Sequence, residues 1–434
     1  MPQQELPRRI GLAEATAIVA GTMIGAGIFL VPSALAREVP SASWILVVWA
    51  LAGVISLFGA LAYAELGAMF PDSGGQYVFL REAYGPLPAF LAGWAFFLVI
   101  QSGSIAAVAT GFAIYLSHFL PGLPLALGAC ALILVLSAIN YVGVRYGARV
   151  QLAFLILKLA GIALLIVGAF AAPAHAGAAA PVQITGAAAA SALLMAFVAY
   201  EGWHVVAFVA GEIARPQRNI PLALVGGVSL VVVVYLLVNV AFLRVLPVEQ
   251  IIASPRVAAE AAAATPLGAL GSSLVALTIV LSSIGCANGS VLTAPRIYYA
   301  QARDGYLFPQ FARVHPRFLT PSFSIAAQAV WTCLLALSGS YEVLVGYVIF
   351  ISWFIHAATV MAVPVLRARK PEAARPFRMW APRAVPFAFA AFALWFMVNT
   401  VWSRPVSSFA GAALLAAGVP VFYVWRNREA VVRA

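Results

Sequence analysis

Long segments without a charged residue are the feature of this chain that most constrains its fold. Long intervals without Asp, Glu, Lys or Arg include 15–36, 39–64, 83–144, 219–243, 261–295, 318–341, 343–366, 384–403 and 405–425. A helix needs about 20 apolar residues to cross a bilayer, so each interval accommodates one span, and 83–144 accommodates two, with a turn at 121–124. Together with 150–171 and 188–212, this predicts about twelve spans. The chain is therefore predicted to be an all-α integral membrane protein.

The distribution of cations predicts how the chain is oriented. The net charge of +11 would also fit a nucleic-acid partner. If the N-terminus is cytoplasmic and the spans alternate, twenty Lys and Arg residues lie on the cytoplasmic side, and only Arg37, Arg244, Arg256 and Arg404 lie outside. Cytoplasmic loops are enriched in Lys and Arg. We therefore expect a multi-pass protein of the cell inner (plasma) membrane with both termini cytoplasmic, surrounded by the lipid bilayer and binding no nucleic acid.

Two predicted spans carry unfavourable residues near their centres. The first contains GTMIGAGIF, with Gly21, Gly25 and Gly27, and the sixth contains AYEGWH, with Glu201. A helix-interior glycine costs about 1 kcal/mol relative to alanine, and a carboxylate near the bilayer centre is also costly. Interruptions at corresponding positions of two halves indicate an inverted-repeat transporter. Gly21 and Gly25 also form a GxxxG helix-packing motif, so spacing alone leaves packing open.

A pair of interrupted helices offers groups that suit a zwitterion. Freed amides at a helix N-terminus attract a carboxylate, because the helix dipole is positive there. Freed carbonyls at the other break suit an ammonium group. An α-amino acid carries both groups, so an amino acid substrate is predicted.

Motifs of other function classes are missing from the sequence. Neither HExxH nor GxSxG occurs, and GAG lacks the third glycine of a dinucleotide-binding motif. The five histidines are widely spaced, which argues against a metal cluster. No filter sequence is repeated, as a channel would require. The chain is therefore predicted not to be an enzyme and to need no cofactor or metal.

Several stretches make the chain similar to a known transporter family. GTMIGAGIF resembles the first-helix signature of the amino acid–polyamine–organocation (APC) superfamily. Other stretches resemble the L-type amino acid transporter (LAT) branch and its bacterial relatives: PDSGGQYVFL, AYEGW, GEIARPQRNIPLAL, NGSVLTAPRIYYAQARDG and RPFRMWAP. The matches run in the expected order from residue 10 to about residue 390.

The resemblance implies a LeuT-like fold, a 5+5 inverted repeat with broken first and sixth helices. A single transmembrane domain would cover 1–434, and its parts would be a first repeat at about 10–171, a second repeat at about 187–366 and two extra helices at about 384–425. In such proteins the substrate carboxylate meets the amides of the first break. Its amino group meets backbone carbonyls of both breaks. The implied substrate-binding residues are Met23, Ile24, Gly25, Ala26, Gly27, Phe197, Val198, Ala199, Glu201, Trp203 and His204.

Within this set the resemblance assigns specific contacts. The carboxylate would bind the amides of 25–27, and the amino group would bind carbonyls near Met23, Val198 and Glu201. Val198 departs from the family, because many relatives have at this position an aromatic residue that gates the site. In this chain the aromatic residue Phe197 is adjacent to it. His204 also departs from the family, because larger members have asparagine. These differences leave the preferred substrate side chain open.

Lys158 lies inside the fifth predicted span, about nine residues and roughly 13 Å from its start. The resemblance implies that its ammonium takes the place of a bound sodium ion beside the first break and stabilises the site. Snorkelling to the membrane surface is one alternative, and a role in proton coupling is another.

Glu201 and its neighbours allow several roles. Its carboxylate is either paired with His204 or a substrate ammonium, or protonated and structural, or solvated in a cavity. Trp203 and Phe197 either shape the pocket or pack within the helix. Arg296, at the cytoplasmic end of the eighth span, is interpreted as a topology and packing charge rather than a substrate ligand.

The resemblance implies a sodium-independent secondary transporter of amino acids, an exchanger of neutral L-amino acids that works by alternating access. The alternative is a proton-coupled symporter of amino acids or amines, including cationic substrates and polyamines. The resemblance implies that a heavy subunit, where one is present, is linked through a cysteine in the outer loop between the third and fourth spans. This loop, 118–124, has no cysteine, so no disulfide-linked heavy subunit is expected.

Overall fold

The computed structural model describes residues 6–117, 119–175, 183–339 and 341–433. Ten helices in these ranges are long and apolar enough to cross a membrane, and a pair bent by 40°, Leu12–Met23 with Gly27–Glu38, forms an eleventh span. The remaining predicted span corresponds to the shorter apolar helix Ser322–Ser338. The all-α membrane architecture predicted from the uncharged intervals is confirmed.

The helices follow one another along the chain, most of them with short connections. In chain order they are α1 (Leu12–Met23), α2 (Gly27–Glu38), α3 (Ala42–Met69), α4 (Gln76–Tyr84), α5 (Pro86–Ala95), α6 (Gln101–Leu116), α7 (Leu125–Val142), α8 (Val144–Ala171), α9 (Gly186–Tyr200), α10 (Pro216–Val245), α11 (Val248–Ala253), α12 (Val257–Ala263), α13 (Gly268–Thr293), α14 (Pro295–Arg303), α15 (Ser322–Leu337), α16 (Tyr341–Arg369), α17 (Ala384–Ser403) and α18 (Pro405–Arg433). A π-helical turn, Phe96–Ile100, joins α5 to α6, and a 3₁₀ segment, Trp203–Glu212, continues α9.

Two spans are interrupted where the sequence predicts. The α1 helix ends at Met23 and α2 begins at Gly27, while α9 ends at Tyr200 and the 3₁₀ segment begins at Trp203. Gly202 has φ 112°, a left-handed conformation that glycine adopts without steric cost. The helical hydrogen-bond ladder cannot continue through such a residue.

The halves of the broken spans pack against each other. The α2 helix packs on α9, and α1 packs on the 3₁₀ segment. Further along the chain, α3 packs on α10, α6 on α13 and α7 on α15. Each of these pairs joins a span to the one five positions later, as two repeats related by a pseudo-two-fold axis would. The repeat boundaries themselves stay a prediction.

Large apolar side chains cover the outer faces of the spans. Val167 is 64% exposed and Leu394 is 63% exposed. Apolar surface of this extent is a liability in water but matches the hydrocarbon of a bilayer.

Candidate functional site

The break between α1 and α2 is held by a buried lysine on α8. Lys158 Nζ lies 2.8 Å from the Gly21 carbonyl oxygen and 2.7 Å from that of Ile24. A continuous helix would have paired these two oxygens with the amides four residues later. A third bond, at 3.1 Å, reaches the Ser282 carbonyl on α13. The lysine therefore binds carbonyls that the break has freed.

The geometry around Lys158 fits a charged group. Three acceptors match the three N–H groups of an ammonium, whereas a neutral amine has only two. The side chain is fully buried, so it does not extend to the membrane surface as snorkelling would require.

The first break has fewer free groups than the resemblance implies. The Gly25 amide donates to the Met23 carbonyl at 2.9 Å, and the Tyr235 hydroxyl lies 2.8 Å from that same oxygen. One lone pair of the Met23 carbonyl thus accepts from the Gly25 amide, and the other faces the Tyr235 hydroxyl. The amides of Ala26 and Gly27, at the start of α2, have no hydrogen-bond acceptor among the described residues and could bind an anion.

The two breaks approach each other closely, which explains two of the glycines. A Cβ atom on Gly202 would lie 3.0 Å from Thr22 Cγ2, and one on Gly27 would lie 3.1 Å from the Ala199 Cα. Real Cβ atoms seldom come so near another heavy atom, because van der Waals repulsion rises steeply there. These glycines therefore allow the two breaks to approach each other closely, in addition to interrupting their helices.

Tyr235, on α10, links the two breaks, and the sequence carried no signal for it. Its hydroxyl lies 2.8 Å from the Met23 carbonyl oxygen and 2.9 Å from that of Ala199. A hydroxyl has one proton, so it donates to one of these oxygens at a time.

We expect Tyr235→Phe to weaken substrate binding about fivefold, because a typical hydrogen bond contributes about 1 kcal/mol. Tyr200→Phe is the matched control, because its hydroxyl donates to Trp49 at 3.2 Å rather than to a break. Displacement of a labelled substrate from each purified variant measures the change. Equal affinities for the two variants would show that the link is unimportant.

A cavity of 410 Å³ lies where the breaks meet. It extends from the breaks along α2 and α6 to Leu30 and Gly111, away from the N-terminal segment. The predicted site residues that line it are Met23, Gly25, Ala26, Gly27, Phe197, Val198, Ala199, Glu201 and His204. Sequence reasoning missed several polar lining residues, namely Gln101, Ser283, Ser290 and Ser352. Single polar residues in apolar spans give no pattern that identifies them.

Two predicted site residues do not line this cavity. Trp203 packs edge-on against Tyr63, with ring centroids 4.8 Å apart, and also contacts Phe389. Its indole fills space beside α3, where Gly59 leaves room for it, so its role is packing in this conformation. Ile24 contributes its carbonyl to Lys158, and its side chain is buried.

Glu201 faces two histidines. Its Oε1 lies 3.4 Å from His204 Nδ1 and 3.8 Å from Nε2 of His356, on α16. The histidine ring centroids are 4.6 Å apart. The expectation that wide sequence spacing keeps the histidines apart is wrong for this pair, because α16 packs close to the second break.

The side opposite the cavity, where the N-terminal segment lies, is closed by ion pairs. Arg296, on α14, donates to Glu212 at the end of the 3₁₀ segment, with Nε 2.6 Å from Oε1 and both side chains fully buried. Arg367, on α16, makes a two-pronged contact with Glu65, on α3, at 2.8 and 2.7 Å. The amide of Arg9 donates to the Glu212 carbonyl at 2.8 Å. The two ion pairs join different spans beneath the cavity, and the Arg9 contact ties the N-terminal segment to the second broken span.

A third pair lies outside the spans. Arg81, on α4, donates to Asp304 at 2.6 Å, and the Tyr77 hydroxyl donates to the same oxygen at 2.9 Å. Partial burial would lower the pKa of Arg81, but the Asp304 carboxylate outweighs burial and raises that pKa. Burial, reinforced by the same carboxylate, raises the pKa of Tyr77.

Comparison with known proteins identifies related chains. A profile described as amino acid permease matches residues 10–424. Human b(0,+)-type amino acid transporter 1 is 30% identical, covering 96% of this chain and 88% of its own length. Rat large neutral amino acids transporter small subunit 2 is 32% identical, covering 98% and 82%. The serine/threonine exchanger SteT of Bacillus subtilis is 31% identical, covering 98% of each chain.

Proposed function

The chain belongs to the amino acid permease family, and on that premise we propose that it is a sodium-independent exchanger of neutral L-amino acids that works by alternating access. The observation that carries the proposal is the 410 Å³ cavity at which both helix breaks meet. The buried Lys158 amino group lies beside the first break. As an ammonium it would supply a fixed positive charge where a bound cation would otherwise stabilise the freed carbonyls. Relatives of this chain are named as exchangers or transporters of amino acids.

The free backbone groups suggest how a zwitterion binds. Its carboxylate accepts hydrogen bonds from the amides of Ala26 and Gly27, at the positive end of α2. Its ammonium donates to carbonyls at the end of α9, near Val198 and Glu201. The Met23 carbonyl is a weaker candidate, since it already accepts from the Gly25 amide and lies within hydrogen-bonding distance of the Tyr235 hydroxyl.

The cavity walls favour a neutral substrate side chain. Phe197, Val198, Cys286 and Trp353 contribute apolar surface. Val198 is 55% exposed, and its small side chain leaves space where an aromatic gate would narrow the cavity.

The orientation follows from the cation distribution. With both termini in the cytoplasm of the plasma membrane, the cavity faces outward and the Glu212–Arg296 pair closes the cytoplasmic side. Alternating access then requires these ion pairs to open as the two repeats, about 10–171 and 187–366, move relative to each other.

We propose that the chain works without a disulfide-linked heavy subunit. Its three cysteines, Cys130, Cys286 and Cys333, are free and lie within α7, α13 and α15. Cys130 Sγ contacts the Cys333 carbonyl at 3.8 Å. A thiol within a span is poorly placed to bond an external partner.

The alternative, a proton-coupled symporter of amino acids or amines, is favoured by one observation. Glu201 and His204 line the cavity, and His356 adjoins them, so proton-binding groups adjoin the substrate. A carboxylate there would also attract a cationic substrate.

Reconstituted vesicles test the proposal. Uptake of labelled L-alanine or L-leucine is expected to rise at least tenfold when the vesicles contain unlabelled neutral amino acids, and excess arginine or ornithine should not compete. Equal uptake into empty vesicles, driven by an acidic exterior, would support the symporter instead.

A further inference from the structure

We propose that Glu201, His204 and His356 form a binding site for a divalent transition-metal ion of the zinc type, reached from the substrate cavity. One ligand atom from each residue, a carboxylate oxygen or an imidazole nitrogen, lies within 4.8 Å of the other two. In tetrahedral zinc sites the ligand atoms are about 3.3 Å apart, from bond lengths of about 2.0–2.2 Å. The Glu201–His204 distance of 3.4 Å already fits, so only His356 must move closer.

Among the residues that the structure describes, His204 Nδ1 and His356 Nε2 have no hydrogen-bond partner. The two side chains are buried, with exposed fractions of 3% and 2%. Buried polar nitrogens without partners are unfavourable. A cation between them and the Glu201 carboxylate would supply the missing interaction and neutralise the carboxylate.

The donor set identifies the class of ion. Two imidazoles and one carboxylate suit zinc, nickel or copper, whereas magnesium and calcium prefer oxygen ligands. Three protein ligands leave a fourth position open. Glu201 and His204 line the cavity, so an ion and its fourth ligand would be reached from there.

A bound ion would have a mechanical consequence, which rests on the proposed function. It would connect the second helix break, at Glu201 and His204, to α16 at His356. It would also place a positive charge beside the carbonyls that the substrate ammonium needs. Both effects predict that zinc inhibits exchange.

Zinc binding is measured first, by calorimetry on tag-free protein in detergent, with magnesium in excess. We expect one zinc ion per chain and at least tenfold weaker binding for His204→Gln and, separately, for His356→Gln. His175→Gln is the control, because its exposed side chain lies elsewhere, and it should bind zinc as the wild type does. Size-exclusion chromatography confirms that each variant is folded. Unchanged binding in both site variants, or no saturable binding in the wild type, would overturn the proposal.

Cobalt provides a second readout that does not depend on transport. Co²⁺ in place of zinc should give the visible absorption of a tetrahedral site, and the absorption should be lost in both histidine variants. If the protein proves not to exchange amino acids, this spectrum and the binding data still decide the metal site. If exchange occurs but zinc binds nowhere, only the metal proposal fails.

Discussion

Lys158→Ala is expected to reduce substrate affinity and exchange by at least a hundredfold. The variant removes two hydrogen bonds from an ammonium to the first break, each contributing roughly 1.5–3 kcal/mol, and a loss of about 3 kcal/mol corresponds to about a hundredfold. The freed carbonyls of Gly21 and Ile24 would be buried without a donor. Without these bonds the break would no longer hold the amides of Ala26 and Gly27 in the single arrangement that binds the substrate carboxylate.

The control is the chain's other lysine. Lys370 lies on the surface, where it pairs with Glu82 at 2.7 Å and is 44% exposed, and exposed pairs contribute about 0–1 kcal/mol. Lys370→Ala should therefore keep affinity within about twofold. Substrate displacement on both purified variants makes the comparison. Near-normal binding by Lys158→Ala would remove the lysine from the account of the site.

Arg296→Met should lower the thermal unfolding midpoint and slow exchange by more than tenfold. Removing one partner of a fully buried ion pair leaves an uncompensated charge and costs about 3–5 kcal/mol. In this variant the uncompensated charge is the carboxylate of Glu212, at the end of the 3₁₀ segment beneath the cavity. The closed side should then lose its most buried contact between the second broken span and α14.

A double variant distinguishes charge from packing. Arg296→Met with Glu212→Gln leaves no buried charge, so the unfolding midpoint should recover most of the loss. Arg303→Met, on the same helix but exposed, should change the midpoint little. A double variant less stable than the single one would show that the pair's geometry, rather than its charge, maintains closure.

Much of the fold could be predicted from the sequence, because lipid excludes charge. Most long uncharged intervals correspond to a crossing helix, since a charged residue in hydrocarbon is costly. The interval 318–341 holds the shorter apolar helix Ser322–Ser338 instead. The two breaks were also predictable, because Gly25, Gly27 and Glu201 are poor choices for the middle of a continuous span.

The site was less accessible to sequence reasoning. Tyr235 and His356 are single residues in apolar helices, and only tertiary packing brings them to the breaks. The sequence predicts a topology and packing charge at Arg296 but not its partner, and the structure places it in a fully buried pair with Glu212. Its partner lies on another span, so no local spacing could reveal the pair.

Backbone groups were the hardest to predict. That the Gly25 amide turns back to Met23 depends on how the chain leaves α1. A motif identifies the residues of a break but not which amides and carbonyls remain free.

Ion dependence tests the central claim, that a fixed ammonium serves where a sodium ion would otherwise bind. The measurement is exchange of labelled L-alanine in vesicles loaded with amino acid, first with sodium and then with choline on both sides, at equal internal and external pH. The account predicts equal rates in the two buffers. A rate that collapses in choline would show that sodium is still required and that Lys158 does not replace it.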